Sequence, residues 1–298
     1  MKKKLTRSDW QLGSLCIIPA TLVFIFSYIP LFGLILAFKR YNYSKGIFGS
    51  DWVGFENFKF FFTSDAFARI TRNTLCLNIL FITAGIISAI SLAIILFEIN
   101  SRLKTKIFQT ILITPHFMSM VIVAYMVFAI LSPENGFLNR ILGCDIDWYS
   151  RPGAWPVILM ITSIWKHVGM DSVMYYATLM GLDNTLFEAA KIDGANWWQR
   201  TKSIVIPSLK SVAIILTILK IGNIFRADFG LFYQVTRNVG VLYSTTDVID
   251  TYVYRALREL NDVGMSTAVG FLQSCVGFVM VMITNAIVKK IEPDNALF

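Results

Sequence analysis

The chain has 298 residues, 55% of them hydrophobic and only 15% charged, whereas an average soluble domain carries about 25% charged residues. That excludes an ordinary water-soluble core. The formal charge of +8 fits nucleic acid, an anionic membrane surface or the cytoplasmic loops of a membrane protein, and the grouping of the apolar residues favours the last.

Apolar stretches cover 12–38, 73–97, 107–131, 155–182, 204–225 and 267–288. A bilayer core about 30 Å thick needs roughly 20 apolar residues of helix, so each stretch is long enough to cross, and six spans are expected. Soluble helices of this length normally keep a polar face. The first stretch follows Lys2, Lys3, Lys4 and Arg7, as a signal peptide would, but it is too long and shows no small-residue cleavage site. It reads as a retained helix. The third contains Pro115 and His116, the latter read as a packing or kink feature; the fourth runs past Lys166, His167 and Asp171; the fifth holds Lys210 and Lys220; the sixth is uncharged.

With the N-terminus inside, the inner segments and the longer outer loops each carry twelve Lys and Arg. The denser inner side places both termini in the cytoplasm. The expected fold is all-α and polytopic: a single transmembrane domain over 1–298, with an inner loop at 183–203 and an outer loop at 226–266. Four cysteines form no C-x-x-C, the two histidines lie far apart in sequence, and no phosphate-binding glycine motif is present. No metal or cofactor is expected on this chain, and any ATP must be hydrolysed by a partner.

The inner loop is the most informative segment. Thr185 and Glu188 have the spacing of a capping box, residues 186–190 supply an apolar helical face, and Gly194 suits a left-handed stop. A second turn is expected near Ala195, with Trp197 and Trp198 at the membrane interface. Pro207, at the start of the fifth span, frees a backbone carbonyl and permits a bend. Physical features alone also fit a spacer lying on the headgroups.

The residue pattern adds to this. Glu188, Ala189, Ala190, Gly194, Ile204, Ile206 and Pro207 resemble the E-A-A-x3-G-x9-I-x-L-P loop of ATP-binding-cassette importer permeases, with Ile206 in place of Leu as the single departure. Tyr28-Ile29-Pro30-Leu31-Phe32-Gly33, Gly54-Phe55-Glu56-Asn57-Phe58, Arg72-Asn73-Thr74-Leu75 and the run 247–255 look like the oligosaccharide and polysaccharide branch of the sugar-importer permeases, related to the larger maltose-type subunit. The resemblance covers nearly the whole chain. It implies a type I importer in a bacterial cell membrane, with a second permease subunit, two ATPase subunits that use ATP and Mg, and an extracellular solute-binding protein, often a lipoprotein. It further implies that the helix around Glu188 to Gly194 docks in a cleft of the ATPase, that Ala189 and Ala190 permit close approach, and that Ile206 and Pro207 anchor the loop to the fifth span.

A polar residue at mid-membrane is a functional candidate by default. Tyr125, Trp165, Lys166, His167, Tyr175, Tyr176, Lys220, Asn223 and Gln273 are the candidates for a substrate pathway, with rings stacking on sugar faces and amides and cations bonding hydroxyls. Each also has a plain reading as an interfacial anchor, a snorkelling cation or an interhelical bridge. Basic residues suit an acidic oligosaccharide such as a uronate, and Trp and Tyr suit a neutral one equally. The outer loop 226–266 mixes Arg, Asp and Tyr, fitting either a docking surface for the binding protein or an internally bridged cap. A secondary transporter or channel for a small polar solute shares the six spans but gives no reason for the E-A-A loop. A membrane enzyme lacks clustered carboxylates or histidines.

Overall fold

The computed structural model describes residues 7–291 except Asp65, Asn100 and Leu260, together with Pro293 and Ala296. Lys2, Lys3 and Lys4, used above for orientation, lie outside the described residues. The principal helices run α1 (Arg7–Val23), α2 (Glu56–Thr63), α3 (Phe67–Phe97), α4 (Arg102–Ile113), α5 (Met120–Leu131), α6 (Trp155–Met180), α7 (Asn184–Ile192), α8 (Trp197–Arg200), α9 (Ile206–Gly222), α10 (Ile249–Glu259) and α11 (Val263–Ile291). Four described helical stretches are long and apolar enough to cross a membrane, five if a bent pair is one span. The remaining expected span, α6, has 26 residues and carries Lys166, His167 and Asp171.

The expected all-α class holds apart from one short ribbon. Strands β1 (Lys39–Arg40) and β2 (Asp51–Trp52) pair antiparallel, Lys39 opposite Trp52 and Arg40 opposite Asp51. They belong to the first of two compact units, residues up to Phe67 with Val253–Ser274. There α1 continues through Phe24–Tyr28 into a tight 3-10 stretch, Ile29–Phe38. Asn57 ties the end of that stretch by donating to the carbonyls of Ala37 (2.9 Å) and Lys39 (3.1 Å). Phe38 stacks on Trp52 at 5.7 Å and meets Phe271 edge-on at 6.0 Å.

The second unit, Ala68–Tyr252 with 275 onward, has two apolar cores. One gathers Leu77, Val123, Trp155, Leu159 and Phe232; the other gathers Ala89, Ala93, Tyr175, Leu179 and Leu209. Tight helix crossings rest on glycine. A Cβ on Gly222 would lie 2.5 Å from Val281, and one on Gly277 would lie 2.5 Å from the Gly222 carbonyl oxygen, so α9 and α11 approach through bare backbone, as membrane helices do.

The third apolar stretch is not one straight helix. Residues 102–117 and 120–131 meet at 98°, with a 3-10 turn at Thr114–Phe117 and Ser119 capping α5 by accepting from the Ile122 amide. Pro115 has no N–H to continue the ladder and restricts the residue before it. Periodicity shows an unbroken apolar run there because both halves are equally apolar. His116 sits in that turn, consistent with the kink expectation.

Candidate functional site

Bending a span exposes carbonyls that hydrocarbon cannot satisfy. Lys166 of α6, only 6% exposed, meets this need: its ammonium donates to the carbonyls of Pro115 (3.3 Å), His116 (3.0 Å) and Met118 (2.5 Å). Lys166 therefore does not snorkel: its ammonium is occupied by these three carbonyls. One turn on, Gly169 lets α6 lie against α4, since a Cβ there would fall 1.9 Å from the Leu112 carbonyl oxygen. His116 and His167 meet edge-on at 5.6 Å across the same contact.

On its other side α6 faces a cavity of about 480 Å³, closed by α3, α9 and the segment after α9. His167, Lys220 and Asn223, all expected in a substrate pathway, line it together. The Lys220 ammonium pairs with the Asp171 carboxylate at 2.7 Å, and both side chains are about one third exposed (36% and 32%). His167 Nδ1 lies 3.0 Å from the Ser163 carbonyl oxygen, which makes Nδ1 the donor because a carbonyl only accepts. Asn78 of α3 closes the top of α9 by donating to the carbonyls of Ile224 (2.7 Å) and Arg226 (3.0 Å). Arg226 and Asp228 add charge to the lining, where Phe81 also stacks on Phe232 at 5.8 Å.

The other expected pathway residues are placed differently. Tyr175 lines a smaller cavity of about 160 Å³ with Asp171 and Lys220, while Tyr176 packs against the second core. Tyr125, largely exposed, lines a separate 240 Å³ cavity with Phe128, Tyr233 and Arg237. Trp165 is half-exposed and outside these linings, and Gln273 is buried and belongs to the first unit. Sequence reasoning passed over Asn78, Arg226 and Asp228 as cavity residues, and gave Asp171 no role. The signal for Asp171 was present: it is the one carboxylate well inside a span, four residues after His167 and thus on the same face.

The inner loop forms the expected short helix, but its cap is different. Asp183, not Thr185, caps α7: its carboxylate accepts from the Thr185 amide at 2.9 Å. Those hydrogen bonds hold its carboxyl below the usual range. The Thr185 amide is thus a donor to the cap, which rules out the expected pairing with Glu188. The capping box falls at the next helix, where Asn196 and Gln199 exchange side-chain and backbone bonds at the start of α8. Between them Gly194 has φ +74°, with nothing within 4 Å of where a Cβ would stand. Phe187 anchors α7 on Phe97 at 5.5 Å, whereas Glu188, Ala189, Trp197 and Trp198 are exposed. Ile204 lies in a π turn, Thr201–Val205, where the Ile206 amide reaches the Thr201 carbonyl. Pro207 follows at the head of α9, so the missing Pro amide is taken up by that wide turn, within a helical stretch that runs from Trp197 to Gly222.

Residues 81–293 match the family of binding-protein-dependent transport system inner membrane components. The chain belongs to this family. It is a membrane-embedded permease subunit of the sugar-importer type, a transport component and not an enzyme. The polygalacturonan/rhamnogalacturonan transport system permease protein YteP of Bacillus subtilis (strain 168) is 34% identical over 286 residues, covering 94% of this chain and 88% of its own. A crystal structure of a bacterial ABC transporter involved in the import of the acidic polysaccharide alginate holds a chain with TM-score 0.86 and 32% identity, covering 96% of this chain and 97% of its own. A second crystal structure, of a bacterial alginate ABC transporter in complex with an alginate pentasaccharide-bound periplasmic protein, matches with TM-score 0.84 and 32% identity over 96% of each chain.

Proposed function

We propose that this chain is one of two permease subunits lining the path of an ATP-driven importer for an acidic oligosaccharide, and that residues 1–298 act as one permease domain in a bacterial cell membrane with both termini cytoplasmic. The observation that carries this reading is the cavity walled by Lys220 and His167, in a chain 32% identical over 96% of its length to the permease of an alginate importer. Lys220 already pairs with Asp171 there, so the wall favours a carboxylate-bearing sugar where that sugar's charge replaces the Asp171 carboxylate beside Lys220, and the half-buried Phe81 offers apolar surface for a ring face. An extracellular solute-binding lipoprotein delivers the cargo, and two ATPase subunits, the users of ATP and Mg, supply the power stroke.

Force enters through α7. Ala189 keeps the exposed face of that helix low, Ala190 sits half-buried beside it, and Glu188 presents a carboxylate to the partner. Gly194 makes the turn that returns the chain to α9, while Ile204, Ile206 and Pro207 seat the loop on the membrane helix. Closure of the nucleotide-bound ATPase pair then displaces α6 and α9 through a rigid connection. Affinity purification in mild detergent tests the assembly: a second permease and an ATPase should co-purify, with hydrolysis stimulated by loaded binding protein. A lone, stable chain would favour a secondary transporter.

A further inference from the structure

The cavity of about 480 Å³ and the smaller one of about 160 Å³ share three lining residues, Asp171, Leu216 and Lys220. These three are the wall between the two spaces. Met174 and Tyr175 line the smaller space only, and both stand further along α6 toward the α7 loop, so that space lies on the loop side of the wall. The wall's polar part is the Lys220 to Asp171 pair at 2.7 Å, and its apolar part is Leu216, one helical turn before Lys220 on α9.

Two further features suggest that the pair has an alternative arrangement. Tyr175 is 1% exposed, yet its hydroxyl has no hydrogen-bond partner among the described residues. An orphaned buried hydroxyl is destabilising, and a state in which something engages it recovers that cost. Tyr175 follows Asp171 by four residues on the same helix, so the two side chains are neighbours on one face. A carboxylate that leaves Lys220 has the Tyr175 hydroxyl as its next donor.

We infer that the Lys220 to Asp171 pair is a gate between the two cavities, opened when a carboxylate of the cargo takes Lys220 and Asp171 passes to the Tyr175 hydroxyl. Asp171 stands in for the cargo's own charge while the cavity is empty, so Lys220 is never left uncompensated in an apolar wall. A neutral sugar offers no such exchange, and the gate is therefore also a charge filter. The opening exchange and the filter rest on the acidic-cargo reading; the closure of the passage by the Lys220 to Asp171 pair does not.

The test uses the assembled transporter with its native cysteines replaced by serine and a reporter, Ile86→Cys, on the lining of the smaller cavity. Labelling by a charged, membrane-impermeant thiol reagent applied from the binding-protein side should be slow with the native pair. It should rise about tenfold, the change produced by about 1.4 kcal/mol, in Asp171→Asn and in Lys220→Gln. It should fall again in the reversed pair Asp171→Lys with Lys220→Asp. Equal rates in all four proteins would overturn the gate. With the native pair, an oligouronate delivered by binding protein should speed labelling and its carboxyl-reduced counterpart should not; the same response to both sugars would overturn the exchange. Uptake of neutral oligosaccharide without uronate would count against the cargo reading, and the four labelling rates would still decide the gate.

Discussion

The ammonium of Lys166 lies 2.5 Å from the carbonyl oxygen of Met118, across the 98° break that divides the third apolar stretch. One buried cation thereby satisfies the carbonyls freed at Pro115, His116 and Met118, and the bend is held by the neighbouring helix. Replacing Lys166 with Met keeps the length and removes the donor. The expected loss is about 2 to 3 kcal/mol of stability, read as a lower thermal midpoint of the purified complex, with Lys166→Arg retaining part of it. An unchanged midpoint in Lys166→Met would show that the bend holds without this contact.

Gly169 makes a sharper case. A Cβ there would stand 1.9 Å from the Leu112 carbonyl oxygen, a backbone atom with nowhere to go, whereas nothing lies within 4 Å of a Cβ on Gly270. Gly169→Ala should destabilise by about 3 kcal/mol or more and lower the amount of assembled protein. Gly270→Ala should be neutral or slightly stabilising, because Ala is the better helix former. Equal accumulation of the two variants would contradict the close packing of α4 on α6.

Much of this architecture was legible because the bilayer imposes one rule on every span: long, apolar and helical. The size of the bend and what holds it were hidden because Pro115 alone does not specify an angle, and Lys166 lies 51 positions from it in sequence. The Lys220 to Asp171 pair was hidden in the same way, its partners 49 positions apart on different helices. In the loop, Asp183 and Thr185 are both good caps, and sequence spacing alone pointed to the one completing a box with Glu188. The reach of Asp183 to the Thr185 amide depends on where the preceding helix ends.

The cap makes a pH prediction. The amide of Thr185 holds the Asp183 carboxyl below its usual value of 3.8. A lowered value in the folded state means that the cap's stabilisation is fully present above about pH 4 and is lost as the pH falls through the folded value. Amide exchange in residues 184–188, corrected for intrinsic rates, should lose protection in acid. Asp183→Ala should show weak protection at every pH. Identical acid profiles for the two proteins would argue against the cap.

Gly194 tests the coupling of α7. Its φ of +74° disfavours other residues, but open space surrounds the missing side chain within the chain itself. Asp at that position costs about 1 to 2 kcal/mol of local backbone energy, too little to unfold a membrane domain. Gly194→Asp should therefore insert normally yet lose both uptake and stimulated ATPase, because the new side chain meets the partner. Normal uptake in this variant would remove α7 from the power stroke.

The most direct measurement is uptake into proteoliposomes holding the full complex, with ATP inside and binding protein loaded with a labelled oligouronate outside. The account predicts accumulation that requires both ATP and the binding protein. Accumulation without either, driven by an ion gradient, would contradict it.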